Sequence, residues 1–365
     1  MRAIILLMGR RVQASLAIVA LGVGWIVCLA TAWRGGIMSI RNHRDLTDHH
    51  FYRAVAERVG MGAKYYDVVA VVLPRHGYPT GSTFNWRTPL YAHALGWLGG
   101  TVANQVALAT LTTVAAALTA VLVARVLGTI AGLAVGLSVA AASAWGAYPE
   151  PIYFTEIWAG LLILAAIAGR GLGFVWSAFL AGTLALFLRE LALPFVGLCL
   201  AESWAGRRPR EAIAWGICLV LYAAHLAGHV AEVASRQALR PGEPVPGWVD
   251  FGGLSFLLAT TRMNYALSLL PDWCAAVYLP LAVFGLVALG SRLGEVRWLL
   301  IGMNGYLLAF AVVGKEFNYY WGWITAPTFA LGFAVAPFFL MDAIQVTGRR
   351  SRSSGASESP TPGGN

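Results

Sequence analysis

Charge is scarce in this chain. Only 12% of its 365 residues are Asp, Glu, Lys or Arg, against 58% hydrophobic ones. Soluble domains carry about twice that share of charge, which argues against a water-facing globule. Cysteine is scarce too. Cys28, Cys199, Cys218 and Cys274 fall in or beside apolar runs without CxxC spacing, and read as small buried hydrophobes rather than disulfide or metal partners. The chain has no Gly-rich phosphate loop, no clear zinc-ligand spacing and no internal repeat. Its net charge of +9 does not point to nucleic acid. The basic residues sit in short connections and in the tail, where they set topology and meet anionic lipid headgroups.

What the chain has is long apolar runs, with a mean hydropathy of +0.66. A span needs about 20 apolar residues, and about 17 suffice. The runs predict an all-α polytopic membrane protein of about ten transmembrane helices, near 13–33, 103–124, 130–146, 155–169, 172–188, 191–204, 212–232, 273–290, 298–314 and 322–341. The first run follows Arg2, Arg10 and Arg11 with no clear small-residue cleavage site, so it reads as a retained anchor. With the N-terminus cytoplasmic, inner connections hold Arg125, Arg170, Arg207, Arg208, Arg210, Arg292 and Arg297, and the inner tail holds Arg349, Arg350 and Arg352. That asymmetry matches the positive-inside rule and puts both termini in the cytoplasm of a plasma (inner) membrane protein. The apolar sequence between 172 and 204 has Glu202 at its end, and only Arg189-Glu190 interrupts its middle. A hairpin tip there keeps the charge rule; one long helix would bury the pair and place Arg207, Arg208 and Arg210 outside. Residues 1–345 form one membrane domain, and 346–365, rich in Ser, Gly and Pro, a disordered cytoplasmic tail.

Two outer loops are long, 34–102 and 233–271, and loops of that length usually carry function. In the first, Phe51, Tyr52, Val55 and Val59 recur at helical spacing, which suits an interfacial helix. Pro89 opens Leu90–Leu98, apolar but too short to span. The densest polar stretch is His43-Arg44-Asp45-Leu46-Thr47-Asp48-His49-His50-Phe51-Tyr52-Arg53. Asp48 and Tyr52 share a helix face, and a carboxylate there is placed to act as a general base. Capping by Asp45 at N-cap and Asp48 at N3 explains the same residues. Adjacent His49 and His50 point apart on a helix, so they make a poor pair of metal ligands. Arg44, Arg53, Lys64 and Arg87 are candidate phosphate partners, against the plainer reading of a solvated or headgroup-facing loop. Glu156, Arg189-Glu190 and Lys315-Glu316 place charge at three outer tips, where it marks function or local ion pairing. Tyr319 and Tyr320 follow, suited to an aromatic belt or to sugar stacking. His225 and His229 are four apart and read as a hydrogen-bonded pair in the membrane.

Asp48-His49-His50-Phe51-Tyr52 with Ala54, Gly62 and Tyr65-Tyr66, then Thr83-Phe84-Asn85-Trp86-Arg87-Thr88-Pro89-Leu90, Thr155–Gly160 and Leu188-Arg189-Glu190, resemble segments of the GT-C superfamily of integral membrane glycosyltransferases, in particular its bacterial mannosyltransferase-like members. The resemblance follows the order of elements from 1 to about 341. It implies a polyprenyl-phosphate sugar as donor, an inverting mechanism, Asp48 (or Asp45) as base, and an active site on the periplasmic or extracellular side. Arg44, His49, Tyr52, Arg53, Lys64, Arg87, Arg189, Lys315, Tyr319 and Tyr320 would bind donor phosphate or substrate, and Glu156, Glu190 or Glu316 would position hydroxyls. His49 stands where the family often has a second acidic residue, so no cofactor is expected and a divalent metal is disfavoured. The larger members' soluble outer domain is missing, which suggests a small or lipid-borne acceptor, with membrane lipids the other partners. The rivals are a transporter or flippase and a non-catalytic lipid-binding subunit. Charge at the tips rather than mid-span disfavours transport.

Overall fold

A computed structural model describes residues 10–33, 48–239 and 250–354, and every regular element among them is helical. The chain runs through α1 (Arg10–Trp33), α2 (Asp48–Gly60), α3 (Tyr65–Arg75), α4 (Thr83–Trp86), α5 (Leu90–Leu98), α6 (Thr101–Leu127), α7 (Thr129–Ala142), α8 (Thr155–Gly171), α9 (Val175–Leu188), α10 (Leu193–Ala205) and α11 (Pro209–Leu239). It continues through α12 (Gly253–Thr261), α13 (Tyr265–Ser268), α14 (Cys274–Arg292), α15 (Arg297–Gly302), α16 (Gly305–Val313), a 3₁₀ segment (Glu316–Ile324) and α17 (Ala326–Ser354).

Among the described residues six stretches are long and apolar enough to cross a membrane: Ser15–Trp33, Thr101–Leu127, Pro209–Gln237, Cys274–Arg292, Gly294–Val313 and Ala326–Gln345. The other four expected spans are helical but short. α7 and α9 have 14 residues each, α8 has 17 and α10 has 13. Fourteen residues rise about 21 Å, less than the ~30 Å hydrocarbon core. Glycines make the turns that cut them short. Gly128 ends α6 at φ +90°, and Gly173 turns α8 into α9 at φ +92°, a region only glycine enters freely. Arg189 does break the apolar run, ending α9 ahead of a 3₁₀ turn at Glu190–Ala192.

The outward faces are aliphatic. Val19, Val23 and Ile26 on α1, Val106 and Val121 on α6, and Ile213, Ile217 and Val220 on α11 are all exposed. Such broad apolar surface suits lipid rather than water. The centre is α8, buried along almost its whole length from Glu156 to Arg170 and packed against α6, α9, α17 and the 3₁₀ segment. A helix that is apolar all round belongs inside. Gly160 admits the Trp323 and Ile324 backbone, where a Cβ would collide with their carbonyl oxygens. α14 and α17 cross at Gly285 and Gly332, each facing carbonyls of the other helix. Close approach through small residues replaces the hydrophobic drive that lipid removes. The cysteines are all free thiols, three of them buried and Cys274 half-buried.

In the first loop α2 buries Phe51, Tyr52, Val55, Ala56 and Val59, the stripe its spacing predicts. α5 crosses it so closely that a Cβ on Gly60 would lie 2.7 Å from the Gly96 carbonyl oxygen. α11 runs beyond the expected span to Leu239 and holds this loop. His229 Nδ1 meets the Tyr66 hydroxyl at 3.1 Å, Arg236 pairs with Asp67, and Gln237 Nε2 donates to the Thr80 carbonyl at 2.5 Å. The expected His225–His229 pair gives way to this: His229 turns to Tyr66, and the His225 ring packs on Phe187 and Tyr222.

The opposite end of the bundle carries its own charge cluster. Arg170, read from sequence as a loop cation, is buried and donates to Glu211 Oε2 at 2.5 Å, with Glu202 Oε2 at 4.0 Å and Arg208 beside Glu211 at 3.8 Å.

Candidate functional site

The site lies where α2, the α4–α5 turn, α8, the α9–α10 turn and the 3₁₀ segment meet. Arg87 is its hub. Its backbone sits at φ +56°, a left-handed conformation that a bulky side chain adopts only where the surroundings enforce it. Tyr65 enforces it: its hydroxyl donates to the Trp86 carbonyl and, at 3.3 Å, to that of Arg87. Trp86 Nε1 donates to the Thr80 carbonyl at 2.9 Å. The turn is therefore tied down at Trp86 and at Arg87 itself.

The Arg87 guanidinium fans over three elements. Nε donates to the Tyr52 hydroxyl at 3.0 Å, one terminal nitrogen to Glu190 Oε1 at 3.2 Å and the other to the Tyr320 hydroxyl at 3.3 Å. Burial lifts the Tyr52 and Tyr320 phenols above their ordinary range, so both stay neutral and accept from the arginine. Arg189, 1% exposed, donates to the same Glu190 Oε1 at 2.5 Å and faces Glu156 Oε1 at 2.8 Å. Glu156 sits in the first turn of α8, where its Oε2 accepts from the Thr155 hydroxyl at 3.4 Å while Oε1 faces Arg189. One carboxylate oxygen thus bridges two guanidiniums. Glu190 is the most open member of this network, its side chain 24% exposed.

Asp48 begins the described part of α2, one turn before Tyr52 and on the same face. Its Oδ1 accepts from the Tyr78 hydroxyl. Tyr52 stacks edge-on against Tyr91 and Phe154, and Phe154 continues to Tyr320 and Trp323. The polar group therefore has an aromatic wall.

Six residues singled out from the sequence converge here: Tyr52, Arg87, Glu156, Arg189, Glu190 and Tyr320, with Asp48 alongside. Others lie elsewhere. Arg53 pairs with Glu57 on the exposed face of α2, and Lys64 is exposed ahead of α3. His49 is half-buried against the His50 ring, Lys315 flanks the 3₁₀ segment, and Tyr319 packs edge-on to Tyr320. Arg44, Asp45 and the Glu316 side chain lie outside the described residues. Among the described residues no cluster of three or more His, Cys, Asp or Glu could hold a metal ion. Sequence reading missed Tyr78 as the partner of Asp48, although Gly77-Tyr78-Pro79 marks a turn. It also did not pick out Asn318, buried beside Tyr320.

No family model, curated protein or solved structure matches the chain.

Proposed function

We propose that this protein is an inverting membrane glycosyltransferase that moves a sugar from a polyprenyl-phosphate donor to a small or lipid-borne acceptor. The reading includes a ten-pass topology with cytoplasmic termini and the site on the periplasmic or extracellular side. The observation that carries it is the meeting of two guanidiniums, two carboxylates and two neutral phenols from five separate stretches at one end of an apolar bundle, with Asp48 beside them. Ionisable groups gathered at that depth in an apolar protein are costly, and function is the usual reason for keeping them.

In this reading Asp48 takes the proton of the acceptor hydroxyl. The freed oxygen forms the new bond at the anomeric carbon. The bond from that carbon to the phosphate oxygen breaks, and the phosphate leaves with the electron pair. Arg87 and Arg189 stabilise the charge that develops on it. Glu190 has to yield for this. It neutralises both guanidiniums in the resting site, and being the most open of the four it is the group a phosphate displaces. Glu156, fully enclosed, stays and keeps Arg189 aimed. No metal is assigned a step.

The test is transfer of radiolabelled sugar from polyprenyl-phosphate mannose in membranes, with and without chelator. Asp48→Asn should cut turnover by about 10²–10⁴, the usual worth of a positioned general base, and leave lipid binding intact. Arg87→Gln should weaken binding of the phosphate lipid. Full activity of Asp48→Asn would remove the base assignment. Loss of activity on chelation would demand a metal. A protein that binds the lipid, transfers nothing and moves it between leaflets would be a flippase.

A further inference from the structure

The 3₁₀ segment 316–324 holds three buried N–H donors that no acceptor among the described residues meets: Asn318 Nδ2, Trp321 Nε1 and Trp323 Nε1. Their residues are 1%, 7% and 2% exposed. Buried donors are nearly always satisfied, so three on one short segment need an explanation. Asn318 stands out because it adjoins the site. The Arg87 guanidinium donates to the Tyr320 oxygen at 3.3 Å, and the Tyr320 hydroxyl passes its own hydrogen to Asn318 Oδ1 at 3.5 Å. A guanidinium only donates, so Tyr320 accepts from Arg87 and keeps its own hydrogen for Asn318 Oδ1. In this arrangement the amide oxygen faces Tyr320 and the NH₂ group is unpaired.

We infer that Asn318 Nδ2 binds an uncharged ligand oxygen, a hydroxyl of the sugar ring carried into the site, and sets which sugar is accepted. This rests on the glycosyltransferase reading and extends it to a residue outside the charge network. Charge decides for a hydroxyl over a phosphate. The phosphate goes to the two guanidiniums, while Asn318 is neutral and sits one hydroxyl away from Arg87. A neutral amide donor next to the Tyr320 hydroxyl suits a sugar, whose ring carries uncharged hydroxyls. A buried donor built for one hydroxyl rejects the analogue lacking it, because the donor is then left unmet.

Two variants test this in purified protein in lipid nanodiscs, with polyprenyl-phosphate mannose and glucose and their monodeoxy analogues. Wild type should slow about tenfold on one deoxy analogue, the size of one well-made neutral hydrogen bond. Asn318→Leu should lose that discrimination. Asn318→Asp keeps an acceptor for Tyr320 and, ionised, puts an acceptor-only carboxylate oxygen where the free N–H stood, so it should lose the discrimination as well. Asn318→Asp with the wild-type profile would reduce Asn318 to a support for Tyr320 and overturn the inference, with the transferase reading intact. A flat wild-type profile would overturn it equally. A wild type that transfers none of these sugars overturns the transferase reading and this inference with it.

Discussion

At the scale of single residues the site is governed by what each charge is paired with. Arg189 and Glu156 are 1% and 2% exposed and close at 2.8 Å. Removing one partner of such a pair strands the other in a low-dielectric interior, at a cost of about 3–5 kcal/mol. Arg189 also holds Glu190, whereas Glu156 has no second ion pair among the described residues, so Arg189→Ala should lower the unfolding midpoint in detergent sharply, and a paired Glu156→Leu, Arg189→Leu variant should recover much of the loss. The same stability without recovery would mean that the pair is not closed. Glu190→Gln should behave differently. It leaves the fold largely untouched and binds a phosphate lipid more tightly, because the competing carboxylate is gone; titration with farnesyl phosphate would show it. Rarity makes these residue types legible without a structure: in a chain with so little charge, Glu156, Arg87 and Arg189-Glu190 stand out. It could not give their partners. Nothing local says that Arg87 reaches Tyr320, or that His229 leaves His225 for Tyr66. Those pairings are made by packing between elements distant in the chain.

At the scale of elements, glycines decide which helices touch. α2 and α5 meet backbone to backbone at Gly60 and Gly96, and a Cβ on Gly60 would lie 2.7 Å from a carbonyl oxygen. Gly96→Val should push the helices apart, at about 1–3 kcal/mol for an overpacked contact, and carry Asp48 and Tyr52 away from Arg87. Activity should fall further than stability; equal losses would mean that the crossing has no part in aligning the site. Helix positions were largely legible, because apolar runs and the Phe51–Val59 stripe follow the 3.6-residue period. Helix lengths were not. Hydropathy cannot tell a 14-residue helix lying among its neighbours from a span, and it stopped α11 at its apolar end although the helix continues on contacts to Tyr66, Asp67 and Thr80.

At the scale of the whole molecule the two ends of the bundle are chemically distinct. One gathers Asp48, Arg87, Glu156 and Glu190; the other gathers Arg170, Glu202, Arg208 and Glu211. Single cysteines in a variant lacking the native ones should therefore react with a membrane-impermeant maleimide in two sets. Lys64→Cys and Gln237→Cys should label together from one side, and Arg207→Cys and Gly294→Cys from the other. A mixed pattern would break the bundle topology. The central helix α8 joins the two ends. Glu156 at its start waits for Arg189, and Arg170 at its finish waits for Glu202 and Glu211. All of these partners come later in the chain. As the ribosome delivers the protein, α8 emerges with both of its charged ends unanswered, and the bilayer alone offers it no stable seat. It has to remain within the insertion machinery, or beside it, until α9, α10 and the start of α11 arrive. A pause or truncation between residues 171 and 188 would hand quality control a helix with two exposed ionic ends, and the finished site would depend on the timing of synthesis as much as on the final fold.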